Sequence, residues 1–326
     1  MATRYIGAGL AGRRVLVTGA SGFIGAHLVR RLAAHGVQVA GLSRTRGRLE
    51  NEDAPWTPIC CDLKDSARLR DVLGSFEPQV VFHFASHPDA RESAAHTRAC
   101  VEDNVLGTLN LLEALRPWPG ISLVYGDSVK VYGTSSVPHR SGRALEPLNA
   151  YAITKLAGWN LCDMYRRLHG MYAVAVRPTL IYGPGQGYNL VSFLCEAVWS
   201  EQAVIRLDGG SQTRDPVFID DAVDAFLLAA ERCPALSGQV IHIGGGREMA
   251  VADLARLTVG LLGSAQEVVP MPNQARPTEM WRSWCDNTEA GDLLGWAPQV
   301  TLEEGILKTA EYFQTQRRVL TLGEGA

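Results

Sequence analysis

Short apolar runs alternate with amphipathic stretches through the first half of the chain. Each run has the length of a buried strand, and each amphipathic stretch repeats its apolar positions at helical spacing. The predicted strands read VLVTG, VQVAGL, TPICCDL, VVFHFA, ISLVYGDS and YAVAVRP, and the predicted helices include 67–73, 101–115 and 153–168. This alternation predicts βαβ units and an α/β fold with a doubly wound parallel sheet covered on both faces.

The first of these units carries a glycine-rich turn between its strand and its helix. Gly19, Gly22 and Gly25 punctuate the stretch RVLVTGASGFIGAHLVRRL. Glycines let the backbone approach phosphate groups closely, and a helix N-terminus offers N–H groups and the positive end of its dipole. The Gly-x-x-Gly-x-x-Gly spacing is one residue longer than the usual fingerprint. We therefore expect a Rossmann-like site for a nicotinamide dinucleotide.

Beyond about Gly183 the pattern loosens into glycine- and proline-rich loops with short helices. This change predicts a smaller C-terminal substrate lobe. The segment Val217 to Ala230 has the pattern of a strand and a helix, and we expect it to return to the main sheet. The expected division is a dinucleotide-binding domain at 1–182, joined by 214–243, and a substrate lobe from 183–213 and 244–326.

Composition narrows the kinds of binding partner that the protein can have and the cellular compartment in which we expect it. The 326 residues are 46% hydrophobic and 20% charged, as in a soluble globular protein, and the formal net charge of −3 argues against nucleic acid. The seven cysteines include no C-x-x-C pair, which favours reduced thiols over disulfides or a metal site. No run reaches the roughly 18 apolar residues of a membrane span. We expect a cytoplasmic protein without a metal, nucleic-acid or membrane partner.

The residues after the second predicted strand bear on the choice of cofactor. An acidic side chain there would bind the adenosine ribose of NAD. This chain instead has Ser43 and Arg44, with Arg46 and Arg48 close behind. A guanidinium suits a 2′-phosphate because it forms paired charge-assisted hydrogen bonds. The pattern favours NADP, with NAD as the alternative.

Acid–base chemistry is indicated by Tyr151 and Lys155, four residues apart at the start of a predicted helix. This spacing places both side chains on one helix face. A neighbouring ammonium can lower the pKa of a phenol toward working pH, so Tyr151 could act as a general base or acid. Ser128 follows the predicted strand at 121–125 and could supply a second hydroxyl to the reacting oxygen.

With these residues identified, the chain resembles the extended short-chain dehydrogenases/reductases, specifically their nucleotide-sugar epimerase and dehydratase branch. The resemblance extends from the glycine turn to the segment LLGWAPQVTLEEGI. Its motifs are TGASGFIG, HFAS, NVLGTLNLLEA, GDSVKVYG, YAITK, RPTLIYGPG and RDPVFIDD.

The resemblance implies a site and an assembly. Ser128, Tyr151 and Lys155 would form the catalytic triad, and Arg214 and Arg276 would hold the diphosphate of a nucleotide sugar. Asn189 and Leu190 are candidates for contacts with the base, and helices 101–115 and 153–168 would pair across a homodimer interface. The expected cofactor residues are Gly19, Ser21, Gly22, Phe23, Ile24, Gly25, Ser43, Arg44, Asp62, Leu63, Phe84, Ala85, Ser86, Asn104, Tyr151, Lys155 and Pro178, with Asp62 and Leu63 at the adenine.

The chain departs from the family pattern at two positions, and the first of them narrows the range of candidate reactions. The dehydratases and decarboxylases of this branch carry an acidic residue two positions before the Tyr-Gly pair, where this chain has Lys130. Dehydration and decarboxylation are therefore less favoured, although a lysine could still transfer protons. Many relatives have an asparagine at the position of Leu180, which leaves the sugar contacts open.

Two reactions then remain within the enzyme class. In a 4-epimerase, Tyr151 takes the C4 hydroxyl proton, and a transient 4-keto intermediate takes hydride back on its other face. In an NADPH-dependent 4-ketoreductase, Tyr151 donates a proton to a 4-keto sugar. The motifs favour the epimerase, whereas Ser43 and Arg44 favour the reductase. Retention of Ser128, Tyr151 and Lys155 argues against a third reading, a non-catalytic dinucleotide-binding sensor.

Overall fold

A computed structural model describes residues 7–45, 56–88, 93–187, 189–200, 202–271 and 277–323, with side chains up to residue 317. Its strands are β1 (Arg14–Thr18), β2 (Gln38–Ser43), β3 (Thr57–Cys60), β4 (Val80–His83), β5 (Ser122–Gly126), β6 (Tyr172–Pro178), β7 (Leu180–Tyr182), β8 (Val204–Asp208), β9 (Thr213–Arg214), β10 (Pro216–Phe218), β11 (Val240–Ile243), β12 (Met249–Ala250) and β13 (Glu267–Met271). Its α-helices are α1 (Phe23–Ala34), α2 (Ser66–Phe76), α3 (Ala94–Cys100), α4 (Gly107–Leu115), α5 (Ala150–His169), α6 (Leu190–Val198), α7 (Ile219–Glu231), α8 (Val251–Leu261), α9 (Thr288–Leu294) and α10 (Leu302–Gly323). A π-helical segment, Val101–Leu106, joins α3 to α4.

Seven parallel strands form the large sheet in the order β11-β6-β5-β4-β1-β2-β3. β1 and β4 are neighbours, although β2 and β3 lie between them in the chain. The strand order therefore reverses at this pair. Such a switch point leaves a crevice outside the carboxyl ends of the strands, where ligands bind in open α/β sheets. The predicted doubly wound parallel sheet is confirmed.

Each central strand supplies apolar side chains to two cores, one on each face of the sheet. In β1, Val15 and Val17 belong to the first core and Leu16 to the second. This alternation follows from the two-residue period of a strand. Helices α1 and α7 cover the first core, and α2, α4 and α5 cover the second. Burial on both faces explains why the strands read as continuous apolar runs.

The segment Val217 to Ala230 corrects the expected topology. Its strand, β10, does not join the large sheet and instead pairs with β7 in a two-stranded parallel sheet. The strand that does join the large sheet is β11, which pairs with β6. Apolar periodicity reveals a strand but not its partner, since pairing depends on contacts distant in sequence. The domain boundaries themselves stay a prediction.

Two further small sheets lie in the second half of the chain. β8 pairs with β13 in parallel, and β9 pairs with β12 in antiparallel orientation. Within the described ranges, no helix is both long enough and apolar enough to cross a membrane.

Gly19 permits a close approach at the switch point. Its φ of +69° is a left-handed conformation, and a Cβ there would lie 2.7 Å from the backbone nitrogen of Ala85, which follows β4. Gly25 brings α1 onto the same turn, since its Cβ would lie 2.3 Å from the Gly19 carbonyl oxygen. The turn after β1, the segment after β4 and the start of α1 therefore pack together through their backbones.

Gly36 provides a matched control for Gly19, because its φ is +71° but a Cβ added there would meet no atom within 4 Å. We expect Gly36→Ala to lower the free energy of unfolding by about 1–2 kcal/mol through left-handed strain alone. Gly19→Ala should lower the free energy of unfolding by roughly 1–3 kcal/mol more than Gly36→Ala does, because the Ala85 backbone must move. Urea denaturation of both variants measures the difference, and equal losses would contradict the close approach.

Candidate functional site

The N-terminus of α1 lies beside the glycine turn and is open to an anion. α1 follows Gly22, which has no side chain to cap the helix, and among the described residues no side chain accepts a hydrogen bond from the first N–H groups. These groups, together with the positive end of the helix dipole, form a natural anion site. The backbone approach at Gly19 leaves no Cβ in the way. This part of the chain therefore fits the pyrophosphate of a dinucleotide.

A buried histidine holds the turn in place. His83, at the end of β4, forms hydrogen bonds from its two ring nitrogens to Thr18 Oγ1 at 2.7 Å and Thr108 Oγ1 at 2.8 Å. Thr18 Oγ1 also accepts the Ala85 N–H at 3.2 Å. Burial and the charge of Lys155 lower the pKa of His83 to about 3, so the ring is neutral. His83 thus has a structural role at the switch point.

A cavity of about 250 Å³ continues from the turn along the carboxyl ends of β1, β2 and β4. Its lining includes ten of the predicted cofactor residues: Gly19, Ser21, Gly22, Ser43, Arg44, Asp62, Leu63, Phe84, Ala85 and Ser86. The other seven predicted cofactor residues lie outside the lining: Phe23, Ile24, Gly25, Asn104, Tyr151, Lys155 and Pro178. The Asn104 amide instead donates to the His87 carbonyl oxygen and to Thr154 Oγ1, both within the fold.

The end of this cavity beside Arg44, where a ribose is expected, is lined by charged residues that the sequence motifs did not reveal. Arg44 Nη1 lies 2.9 Å from Asp103 Oδ2, and Lys64 Nζ lies 3.3 Å from Asp103 Oδ1. Ser43 Oγ lies 2.8 Å from Ser21 Oγ. Lys64 and Asp103 belong to separate segments, so no local pattern could have placed them beside Arg44. The predicted Arg46 and Arg48 lie outside the described residues.

Ser128 and Tyr151 meet at the carboxyl end of β5. Ser128 caps the 3₁₀ helix Val129–Tyr132, its Oγ accepting the Lys130 N–H at 3.3 Å. Asn149 caps α5, its Oδ1 accepting the Ala152 N–H at 3.0 Å. These two caps bring Ser128 close enough for its side chain to interact with the Tyr151 phenol. The predicted placement of Tyr151 in the first turn of a helix is confirmed.

The pKa of Tyr151 differs from the prediction that Lys155 would lower it. Burial raises the pKa of Tyr151 to about 12, and the hydrogen bond with Ser128 acts in the opposite direction. Lys155 does not bring this pKa near working pH, because its ammonium donates to the Gly126 carbonyl oxygen and lies 4.3 Å from the centre of the Tyr125 ring. Burial lowers the pKa of Lys155 to about 8. Tyr151 is therefore a neutral phenol in this structure.

A second cavity, of about 150 Å³, has Ser128 in its lining. Lys130, Leu180 and Arg214 also line it. The Arg214 guanidinium donates to the Thr213 and Met280 carbonyl oxygens and forms an ion pair with Glu279. A diphosphate at Arg214 would have to share or replace the Glu279 contact.

The remaining predicted substrate residues are not brought into this cavity. The Asn189 side chain caps α6, its Oδ1 accepting the Ser192 N–H at 2.8 Å, and both Asn189 and Leu190 lie outside the lining. Arg276 lies outside the described residues. The contacts expected of these three residues stay predictions.

The geometry of a dinucleotide turn, a strand-end serine and a Tyr-x-x-x-Lys helix has a counterpart in a known family. Residues 15–244 match the model of the NAD dependent epimerase/dehydratase family. The chain belongs to this family. The predicted family resemblance is thereby confirmed, and with it a NAD(P)-dependent enzyme class.

Individual relatives match nearly the whole chain. It is 36% identical to a UDP-glucose 4-epimerase of Mycolicibacterium smegmatis, over 93% of this chain and 99% of that protein. It is 30% identical to a dTDP-4-dehydro-6-deoxy-D-allose reductase of Streptomyces bikiniensis, over 94% of this chain and 98% of that protein. A UDP-glucuronic acid 4-epimerase of Bacillus cereus, crystallised with UDP-glucuronic acid and NAD, superposes with a TM-score of 0.85 at 26% identity, covering 93% of this chain and 99% of that one.

A buried ion pair between Arg177 and Asp127 supports the turn that carries Ser128. Arg177, near the end of β6, places both Nε and Nη2 at 2.7 Å from Asp127 Oδ2, and Asp127 Oδ1 accepts the Ser128 N–H at 2.8 Å. Arg177 also donates to the Tyr132 hydroxyl at 3.1 Å. This pair was not predicted, although a charged residue directly before Ser128 and an arginine inside an apolar strand were available signals.

We expect Asp127→Asn to lower the free energy of unfolding by about 3–5 kcal/mol, because Arg177 would keep an unpaired charge in the interior. Glu303→Gln is the matched control. Glu303 Oε1 lies 3.0 Å from Arg247 Nη1, but both side chains are substantially exposed, so its loss should be under about 1 kcal/mol. Chemical denaturation measures both, and a similar small loss in the two variants would contradict a structural role for the buried pair.

Proposed function

We propose that this chain is a nucleotide-sugar 4-epimerase. The observation that carries the proposal is the interaction of the Tyr151 phenol with Ser128, which lines the second cavity together with Arg214. The first cavity is lined by most of the predicted cofactor residues. The relatives support it, since the Mycolicibacterium smegmatis and Bacillus cereus proteins are both named as 4-epimerases of UDP-sugars. The substrate would be a sugar linked to a nucleoside diphosphate.

The chain has the groups needed to hold a nicotinamide dinucleotide. The uncapped N–H groups of α1 would bind the pyrophosphate, and the cavity past Asp62 and Leu63 would take the adenosine. When bound, the nicotinamide supplies hydride acceptance and return. Lys155 is proposed to contact the cofactor beside Tyr151.

Proton transfer would be the task of Tyr151. A raised phenol pKa suits the return step, in which Tyr151 donates a proton to the oxygen of the 4-keto sugar. Removal of the C4 hydroxyl proton needs a lower pKa of the Tyr151 phenol, and a cation beside the phenol would lower that pKa. Ser128, whose side chain interacts with the Tyr151 phenol, would share the same sugar oxygen.

A 4-ketoreductase is the second candidate. The Streptomyces bikiniensis relative supports it, since it is named as a reductase of a 4-dehydro sugar nucleotide. The same Tyr151 would donate its proton in both reactions. Dehydration is less favoured, because Lys130 stands in the cavity where the dehydratase branch has an acid.

We expect Tyr151→Phe to lower kcat by about 10²–10⁴-fold while leaving dinucleotide affinity nearly unchanged, since only the transferable proton is removed. NMR of UDP-glucose and UDP-glucuronic acid incubated with the enzyme would detect their C4 epimers. Tyr312→Phe is the control, because Tyr312 lies outside the lining of both cavities.

Stoichiometric NADPH oxidation with a 4-keto sugar nucleotide, without interconversion of the C4 epimers, would reject the epimerase in favour of the reductase. Unchanged kcat in Tyr151→Phe would reject the assigned role of Tyr151 in either reaction. A dinucleotide-binding protein without turnover would support the sensor reading.

For the cofactor we propose NADP, with NAD as the alternative. Arg44 is the supporting residue, since its side chain is 56% exposed at the ribose end of the first cavity. Asp103 weakens the argument for a 2′-phosphate because its carboxylate already binds both Arg44 and Lys64. The Bacillus cereus relative was crystallised with NAD.

If the 2′-phosphate binds at Arg44, Arg44→Ala should weaken NADP by about 10-fold or more and change NAD by less than about threefold. Arg116→Ala is a matched control, since Arg116 is 57% exposed and also paired with a carboxylate, Glu113. Calorimetric titration with each dinucleotide, and mass spectrometry of any cofactor released on denaturation, provide the test. Equal effects on both cofactors would reject NADP selectivity at Arg44.

A homodimer is also proposed. The outer face of α5 exposes Ile153, Met164 and Leu168 at 53%, 37% and 67%, and Val101 and Leu106 of the π-helical segment are similarly exposed. Helical spacing aligns the three α5 residues in one apolar stripe. This face supports the pairing of helices expected from the family resemblance. Cytoplasmic location stays a prediction.

A further inference from the structure

Asp103 reaches the first cavity from the π-helical segment Val101–Leu106. Asn104, its neighbour in that segment, is anchored on two sides: Asn104 Oδ1 accepts the His87 N–H at 2.6 Å, and Nδ2 donates to Thr154 Oγ1 at 2.9 Å. The Asp103 side chain is 13% exposed. π-Helical turns within helices are frequently found at functional sites. The fold therefore holds a carboxylate in a defined position at the lining of this cavity.

That one carboxylate pairs with two cations at the end of the cavity beside β2. Arg44 Nη1 lies 2.9 Å from Asp103 Oδ2, and Lys64 Nζ lies 3.3 Å from Asp103 Oδ1. β2 ends at Ser43, and the end of the second strand is where a doubly wound fold places the adenosine ribose. A phosphate on the ribose 2′ oxygen that bound both cations would use N–H donors that face Asp103 in this structure.

The charged side chains that line the first cavity cancel one another. Arg44 and Lys64 carry two positive charges, and Asp62 and Asp103 carry two negative charges. A phosphate monoester has a charge of about −1.5 to −2 at neutral pH, so a 2′-phosphate sharing these cations would lie close to the Asp103 carboxylate. Like charges at such short distances repel each other. A ribose 2′-hydroxyl carries no charge, and a carboxylate can accept its hydrogen bond.

We infer that Asp103 is a specificity-determining residue, which competes with the 2′-phosphate of NADP for Arg44 and Lys64. The inference rests on the proposed dinucleotide site, and it assigns Lys64 to the same phosphate as Arg44. NADP must share the donors of both cations with Asp103 or displace its carboxylate, whereas NAD leaves both ion pairs in place. Asp103 therefore lowers the affinity for NADP selectively, whichever of the two dinucleotides binds more tightly.

Calorimetric titration with each dinucleotide tests the inference without turnover. Asp103→Asn keeps the size of the side chain but removes its charge. We expect this variant to bind NADP about 10- to 100-fold more tightly than the parent protein, and to bind NAD within about threefold of the parent. Adenosine 2′,5′-bisphosphate and AMP should show the same contrast, because they differ by the 2′-phosphate alone. The variant should fold, since Arg44 and Lys64 are 56% and 41% exposed and water can solvate them.

Asp163→Asn is the matched control. Asp163 is also a partly exposed carboxylate shared by two cations, with Arg166 Nη2 at 2.8 Å and Arg167 Nη2 at 3.0 Å, but it lies outside the lining of the first cavity. Its replacement should leave the affinities for NADP and NAD unchanged.

Combined variants test whether the gain passes through the two cations. Adding Lys64→Met to Asp103→Asn should remove part of the gain in NADP affinity, and adding Arg44→Ala as well should remove the rest. Neither addition should change NAD affinity by more than about threefold. A gain that survives the loss of both cations would overturn the assignment of Arg44 and Lys64 to the phosphate.

Equal tightening of NADP and NAD by Asp103→Asn would overturn the inference, because both dinucleotides share every group except the 2′-phosphate. Unchanged or weaker NADP binding would also overturn it and make Asp103 a support for Arg44. Failure of the parent and the variant to bind either dinucleotide would reject the proposed cofactor site and the inference with it. Selective NADP gain without any epimerisation would support Asp103 and reject the proposed reaction, and epimerisation without that gain would do the reverse.

Discussion

The structure depends on the backbone approach between the turn after β1 and the segment after β4. Gly19 allows it, because the Ala85 backbone occupies the space that a Cβ would need. Thr18 and His83 hold the two strand ends together through a buried hydrogen bond. These contacts keep the strand ends close at the switch point, and the N-cap of α1 beside them is Gly22, which has no side chain to cap the helix.

Burial sets the protonation states around this crevice. It raises the pKa of Tyr151 and lowers the pKa values of His83 and Lys155. Removing water disfavours the charged form of each group, so a buried phenol stays neutral and a buried ammonium holds its proton less tightly. Arg177 keeps its charge because Asp127 pairs with it directly. The pKa values of the proposed catalytic residues Tyr151 and Lys155 are thus shifted mainly by desolvation.

The two cavities use charge in different ways. At the ribose end of the first cavity, Asp103 joins Arg44 and Lys64, so two cations share one carboxylate. In the second cavity, Arg214 is already bound by Glu279, while Lys130 lies beside the Tyr151 ring. An arginine that pairs with a carboxylate of its own chain must share its N–H donors with a ligand phosphate or give up that contact. Recognition of a phosphate by Arg44 or Arg214 would therefore involve sharing or exchange of anionic partners.

Local patterns predicted the elements near the site well. The glycine turn, the strand before Ser128 and the helix that begins with Tyr151 all follow from periodicity and turn residues over short windows. Two features do not follow from such local patterns: the π-helical segment at Val101–Leu106 and the pairing of β10 with β7. These depend on partners distant in the chain, which apolar spacing does not encode.

The sequence by itself determined the order of strands and helices, the glycine-rich turn and the choice of Ser128, Tyr151 and Lys155 as candidate site residues, because each depends on residues within a few positions of one another. Only the tertiary structure decided the charge state of Tyr151, the direction of the Lys155 ammonium and the partners of Arg44 and Arg214. Those properties arise from burial and from carboxylates such as Asp103 and Glu279, which folding brings near from separate segments. Electrostatic environment is a property of three-dimensional neighbours, so residue order alone does not specify it.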